Sequence, residues 1–144
     1  MIKKDTVKLL RECDAGAKMG IESIEDVLPR VSNGEVKNAL DISLKTHKTL
    51  EKEIHAALDR FGDRGKDPAM IAEKMSWIKT NFKLLVDESD AAIADLMTDG
   101  CNMGIKSLRR YLNQYKAADD DSKRIAEKLI RSEIDLLESM ASFL

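Results

Sequence analysis

Two side chains capable of acid–base or metal-binding chemistry are expected at one level of a helical core. His47 lies on the apolar stripe of the second predicted helix, and Glu133 takes the equivalent place on the fourth when the two halves are aligned by their leucines. Because an unpartnered polar group in a core costs about 1–3 kcal/mol, we expect a hydrogen-bonded pair. His55, eight residues after His47, is interpreted as structural. The alternatives are a small-molecule cavity or a mononuclear metal site completed by another carboxylate, either Glu12, Asp14, Glu22 or Glu51.

The helices that must position this pair contain an internal repeat. Residues 16–24 and 100–108 both read G-x-x-M-G-I-x-S-(I/L). Because a glycine inside a helix costs about 0.5–1 kcal/mol relative to alanine, these glycines require a compensating reason. We interpret them as positions of close helix approach, or as room for a bulky neighbour, with the methionines as core filler. The alternative is a pocket at the level of the pair, lined by Met19, Gly20, Met103 and Gly104.

Apolar residues at three- and four-residue steps predict the first helical hairpin, residues 5–62. Its first helix is predicted to begin at Asp5 or Thr6, either of which can cap free backbone N–H groups, and to end near residue 28. The second helix is predicted over about 33–61. Ser32 and Glu35 have the spacing of a capping box, which would open this helix.

The same periodicity predicts a second hairpin over residues 87–144. Its third helix is predicted from about 87–90 to 116, with Met103 on the inward stripe, and its fourth from a cap at Asp119 to the end. Residues 63–86 are predicted to form a crossover with a helix of its own, since Asp67-Pro68 is a strong helix start. One long crossover between two hairpins is the ferritin-like connectivity. We therefore predict one all-α domain, residues 1–144, folded as a ferritin-like up-down four-helix bundle.

A family resemblance rests on two segments. Residues 96–112, Leu-Met-Thr-Asp-Gly-Cys-Asn-Met-Gly-Ile-Lys-Ser-Leu-x-x-Tyr-Leu, followed by Ile-Ala-Glu-Lys-Leu-Ile-x-x-Glu at 125–133, resemble the second hairpin of small bacterial ferritin-like domains of unknown function. The segment around Leu44, His47, Leu50 and Glu51 resembles helix two of stress-associated bacterial ferritin-like proteins, in which a carboxylate-rich helix carries an inward histidine.

This resemblance implies a di-iron or di-manganese site, built from an inward Glu on two helices and Glu-x-x-His on the other two. The chain departs from that pattern. Leu44 stands three residues before His47, no histidine follows Glu133, and glycine or methionine stands where the first and third helices would present glutamate. Since two protein ligands do not hold a di-metal centre, we expect no cofactor. Iron or manganese bound by His47 and Glu133 is the alternative.

Composition argues against several functional classes. The chain has 24 Lys and Arg against 26 Asp and Glu, interspersed along the helices, whereas nucleic acid or an anionic membrane would require a concentrated basic excess. No segment has the length of a signal peptide's apolar run or of a transmembrane helix, so we expect a cytoplasmic protein. In that reducing compartment we expect Cys13 and Cys101 to be small buried apolar residues with free thiols. No phosphate-binding loop or nucleophile elbow is present. We therefore expect a non-enzymatic, structural, stress-associated or binding protein that forms a homo-oligomer.

Overall fold

Four long α-helices make up most of the described chain, as predicted. The computed structural model describes residues 1–63, 65 and 89–144. The helices are α1 (Ile2–Val27), α2 (Gly34–Asp59), α3 (Asp90–Gln114) and α4 (Asp120–Met140), with single 3-10 turns at Leu28–Arg30 and Ala141–Phe143. The predicted crossover helix lies outside the described residues, so the prediction for it is not tested.

Helix α1 begins earlier than predicted. It starts at Ile2, and Asp5 and Thr6 lie inside its first turns. The carboxylate of Asp5 accepts a hydrogen bond from the backbone N–H of Ala117 at 3.0 Å, and Thr6 Oγ1 accepts one from the N–H of Asp119 at 2.8 Å. The prediction that either residue caps α1 is therefore wrong, because both side chains serve the backbone of the α3–α4 connection.

The start of α2 also differs from the prediction. Asn33 is the cap, since its Oδ1 accepts from the N–H groups of Glu35 at 2.8 Å and Val36 at 3.2 Å. Ser32 instead uses its own N–H to bond Asp90 Oδ1 at 3.1 Å, so the predicted Ser32–Glu35 capping box is wrong. At α4 the prediction is confirmed, because Asp119 Oδ1 accepts from the N–H of Ser122 at 2.8 Å.

Three polar contacts define the direction of the helices. The salt bridge from Arg11 to Asp63, 2.6 Å long, places the end of α2 beside the beginning of α1. The Ser32–Asp90 bond places the beginning of α3 beside the α1–α2 connection, at the opposite end of the bundle. The Thr6–Asp119 bond places the beginning of α4 beside the beginning of α1. Thus α1 and α4 run in one direction, and α2 and α3 run in the other.

Among the described residues, the buried apolar side chains form two clusters that are separated along the bundle. One contains buried residues from the beginning of α1, the end of α2, the end of α3 and the beginning of α4, such as Leu9, Ile54, Leu108 and Leu129. The other lies towards the opposite end and includes Ile24, Leu40, Ile93 and Met140. Between the clusters lie His47 and Glu133, with Gly20 and Gly104 beside them.

Two further sequence expectations concern methionine and cysteine. Met103 was expected as core filler, but it is 38% exposed, so that prediction is wrong. Cys13 and Cys101 are both buried and carry free thiols.

Among the described helices, none combines the length and apolar character required to cross a membrane.

Candidate functional site

The interval between the two apolar clusters contains a buried histidine–glutamate pair. Nε2 of His47 lies 2.6 Å from Oε1 of Glu133, joining α2 to α4. The His47 side chain is 1% exposed and that of Glu133 is 14% exposed. On the other side of the ring, Nδ1 lies 2.8 Å from the carbonyl oxygen of Ser43. Because a carbonyl only accepts, Nδ1 carries a proton and donates it to Ser43.

The surroundings favour a charged His47. Burial acts to lower its pKa, but the hydrogen bond and charge of Glu133, helped by the Ser43 carbonyl, outweigh burial and raise the pKa above its ordinary value. In the imidazolium form both ring nitrogens donate, one to Ser43 and one to Glu133. The pair is then a compact buried ion pair in which every ring proton has an acceptor.

Two glycines of the sequence repeat adjoin this pair, and they differ in the room that they leave. A Cβ atom added at Gly20 would lie 2.6 Å from Cδ2 and 2.7 Å from Nε2 of His47. A Cβ atom at Gly104 would lie 3.5 Å from Oε2 of Glu133, which is an ordinary contact distance. At Gly16 an added Cβ would meet nothing within 4 Å. Gly20 is therefore needed to accommodate the His47 ring, whereas Gly16 faces open space.

That open space is a cavity of about 280 Å³ between α1, α3 and α4. Gly16, Gly20, Gly100 and Gly104 all contribute to its wall, together with Met19 and Met103. Aliphatic side chains surround them, among them Ile24, Leu96, Met97, Leu108, Leu129 and Leu136. Glu133 belongs both to the buried pair and to the wall, so a carboxylate is presented to a mostly apolar space.

The residues at this level do not fit a di-metal centre. His47 and Glu133 supply one imidazole nitrogen and one carboxylate, which is fewer ligands than a di-metal centre requires. Helices α1 and α3 present Gly20 and Gly104 where a di-metal site requires carboxylates. Of the carboxylates considered as further ligands, Glu12 lines the cavity and Glu22 lies half-buried on α1. Asp14 and Glu51 lie elsewhere, beside His55.

The cluster of Asp14, Glu51 and His55 was missed at the level of sequence. Nε2 of His55 donates to Asp14 Oδ1 at 2.8 Å, and the Lys18 ammonium bonds Asp14 Oδ2 at 3.0 Å. One ligand atom from each of Asp14, Glu51 and His55 lies within 4.8 Å of the others. The spacing of Glu51 and His55, one helical turn apart, is visible in the sequence, but nothing there indicates that Asp14 of α1 lies opposite them.

The two thiols are held in their neutral form. Burial, reinforced by the charges of Glu12 and Asp14, raises the pKa of Cys13 to about 12. Burial also raises the pKa of Cys101, and its hydrogen bond to Glu133 adds to that effect. Because the thiolate is the reactive form, neither cysteine is a nucleophile at neutral pH.

Comparisons of the chain with protein-family models, with curated proteins and with solved structures found no match.

Proposed function

We propose that this protein is a non-enzymatic binding protein whose mid-bundle cavity takes a small, largely apolar molecule with one hydrogen-bond donor. The observation behind the proposal is the cavity of about 280 Å³, with the Glu133 carboxylate in an otherwise mostly apolar wall. Ligand pockets typically begin at about 300 Å³, and an apolar cavity of about 150 Å³ is enough for benzene. A molecule of one or two rings therefore has the appropriate size.

Glu133 supplies the reason for a donor on the ligand. An ionised carboxylate only accepts hydrogen bonds, and its two oxygens offer about four acceptor positions. Oε1 receives the bond from His47, and the Cys101 thiol uses one further acceptor position of this carboxylate. Oε2 lies beside Gly104, which has no side chain of its own to cover it. A hydroxyl or amino group on the ligand would use this remaining acceptor capacity, whereas a second carboxylate would be repelled.

We also infer that the scaffold is a ferritin-like bundle whose metal centre has been lost. The end of α2 and the beginning of α3 lie at opposite ends of the bundle, as one long connection between two hairpins requires. Gly20 and Gly104 stand on α1 and α3, where metal-binding ferritin-like proteins present glutamates. Self-association and a stress-associated role stay predictions from the sequence.

Phenol and toluene provide a matched pair of probes, because they have nearly the same shape and only phenol carries a donor. We expect saturable binding of phenol to the native protein, followed by titration calorimetry or by NMR shifts of cavity residues. Toluene should bind about tenfold or more weakly, since a hydrogen bond to a charged group contributes about 1.5–3 kcal/mol. Glu133→Gln should reduce this preference.

Gly16→Leu is the variant that fills the cavity. Its side chain would extend into open space, because an added Cβ at Gly16 meets nothing within 4 Å. Gly34→Ala is the matched control, since that position is equally open but lies outside the cavity lining. Phenol binding should be lost in Gly16→Leu and kept in Gly34→Ala. Equal binding to wild type and Gly16→Leu, or no binding of either probe to wild type, would refute the proposal.

A further inference from the structure

We propose that Asp14, Glu51 and His55 form a second site, which binds a divalent transition-metal ion of the Zn(II) type between α1 and α2. The site is separate from the mid-bundle layer, because His55 follows His47 by eight residues, a rise of about 12 Å along a helix. It is also independent of the cavity, since none of the three residues lines it.

The donor atoms already converge. One ligand atom from each residue lies within 4.8 Å of the other two, and Asp14 Oδ1 and His55 Nε2 are 2.8 Å apart. Zinc binds imidazole nitrogen and carboxylate oxygen at about 2.0–2.2 Å. Binding therefore requires side-chain rotations that replace the direct Asp14–His55 contact with contacts to the ion. Glu51 and His55 are one turn apart on α2, and the same face of a helix therefore presents both.

Asp14 is the anchor of the site. It is completely buried, which is costly for a carboxylate unless its charge is compensated. Lys18, four residues later on α1, bonds Oδ2 at 3.0 Å and leaves Oδ1 directed at His55. Lys18 thus fixes the carboxylate from one side, as outer-sphere partners do around metal ligands. The two carboxylates and the lysine together carry one negative charge, which attracts a divalent cation.

The site has one closed side and one open side. Gly65, with a φ of +94°, passes so close to Asp14 that a Cβ there would overlap its Oδ2. The His55 side chain is 45% exposed, so an ion can arrive from solvent on that side and keep a water ligand. Three protein ligands with a solvent position are common in zinc sites.

The mixed donor set selects among metals. Imidazole suits zinc, cobalt and related transition ions, whereas magnesium and calcium prefer oxygen ligands alone. When an ion binds Nε2 of His55, the proton of the neutral ring resides on Nδ1. We therefore expect Zn(II) and Co(II) to bind and Mg(II) to bind much more weakly.

Co(II) titration of the folded 144-residue chain, followed by visible absorption, tests the site directly. We expect saturation at one ion per chain, a spectrum without thiolate charge-transfer absorption, and displacement by Zn(II). His55→Gln changes a half-exposed side chain and should keep the fold, which circular dichroism checks. It should weaken binding about 100-fold or more, since even the loss of an outer partner costs about 10–100-fold.

Glu53→Gln is the matched control. Glu53 is two residues from Glu51 on the same helix, but it pairs with Lys128 on α4 at 3.7 Å. The Glu53→Gln variant should bind Co(II) as tightly as wild type does. The Glu51→Gln variant should bind Co(II) more weakly. No Co(II) binding to wild type, equal affinity in His55→Gln, or a thiolate band in the spectrum would each overturn the proposal.

Discussion

Nε2 of His47 and Oε1 of Glu133, 2.6 Å apart, form a polar bond between α2 and α4 in the interval that separates the two apolar clusters. Sliding either helix along the other would break this bond and bury two unpaired charges. Buried polar pairs are known to specify register in helical bundles. We therefore expect the pair to favour one alignment of the two hairpins, and its removal to change the free energy of unfolding.

Removal of both partners should cost less than the sum of the two single removals. Glu133→Leu leaves the His47 imidazolium buried without its acceptor, and we expect a loss of about 3 kcal/mol in the free energy of unfolding. In the double variant His47→Leu, Glu133→Leu, no charge remains, so the loss should be smaller than the sum of the single losses. Urea denaturation of the wild type, of His47→Leu, of Glu133→Leu and of the double variant measures this coupling. Additive losses would contradict an energetically important pair.

The pair should also make stability depend on pH. Because the folded pKa of His47 lies above its unfolded value of about 6.5, the native state binds this proton more tightly. The stabilisation is complete below pH 6.5 and is lost as the pH rises through the folded pKa. The difference in unfolding free energy between wild type and His47→Gln should therefore decrease from pH 6 to pH 9. A constant or increasing difference would contradict the raised pKa.

Three glycines should respond differently to the same substitution. Gly16→Ala should stabilise the protein by about 0.5–1 kcal/mol, because the methyl group meets open space and alanine favours a helix. Gly20→Ala should destabilise it by about 1–3 kcal/mol, because the methyl group overlaps the His47 ring. Gly104→Ala, with ordinary contacts to Glu133, should lie between them. Thermal unfolding gives the order, and a destabilised Gly16→Ala would contradict the open cavity.

Neither cysteine should react readily in the folded protein. With a pKa of about 12, Cys13 is thiolate to only about one part in 10⁴ at pH 8, so its labelling should be slower than that of an ordinary thiol by on the order of 10³. Cys101 is buried and bonded to Glu133, so we expect the same behaviour. Labelling by a disulfide reagent with and without urea measures both rates. Fast labelling of one thiol in the native state would identify an opening beside it.

The sequence predicted the four long helices because apolar periodicity is a local property that survives in the fold. It also indicated one level for His47 and Glu133, since aligning two related halves transfers a position from one hairpin to the other. The errors have tertiary causes. Asp5 and Thr6 are residue types that commonly cap helices. Their side-chain oxygens instead accept hydrogen bonds from the backbone N–H groups of Ala117 and Asp119, more than a hundred residues away.

The cluster around Asp14 escaped sequence analysis for a similar reason. Two residues one turn apart, Glu51 and His55, are common on exposed helix faces and by themselves indicate nothing. The position becomes distinctive only because Asp14 of another helix is buried against His55 and fixed by Lys18. That relationship depends on the rotation of α1 about its axis relative to α2, which an apolar stripe specifies only coarsely.

The hydrogen bonds from the backbone N–H groups of Ala117 and Asp119 to the side chains of Asp5 and Thr6 have a consequence for how the chain unfolds. The second hairpin closes its own turn with acceptors supplied by the first, so it is not a self-sufficient half despite the internal repeat. Fraying of the N-terminal turns exposes those two amides and loosens the beginning of α4. We therefore expect the two repeats to unfold as one cooperative unit, in which loss of the first turns of α1 weakens the beginning of α4.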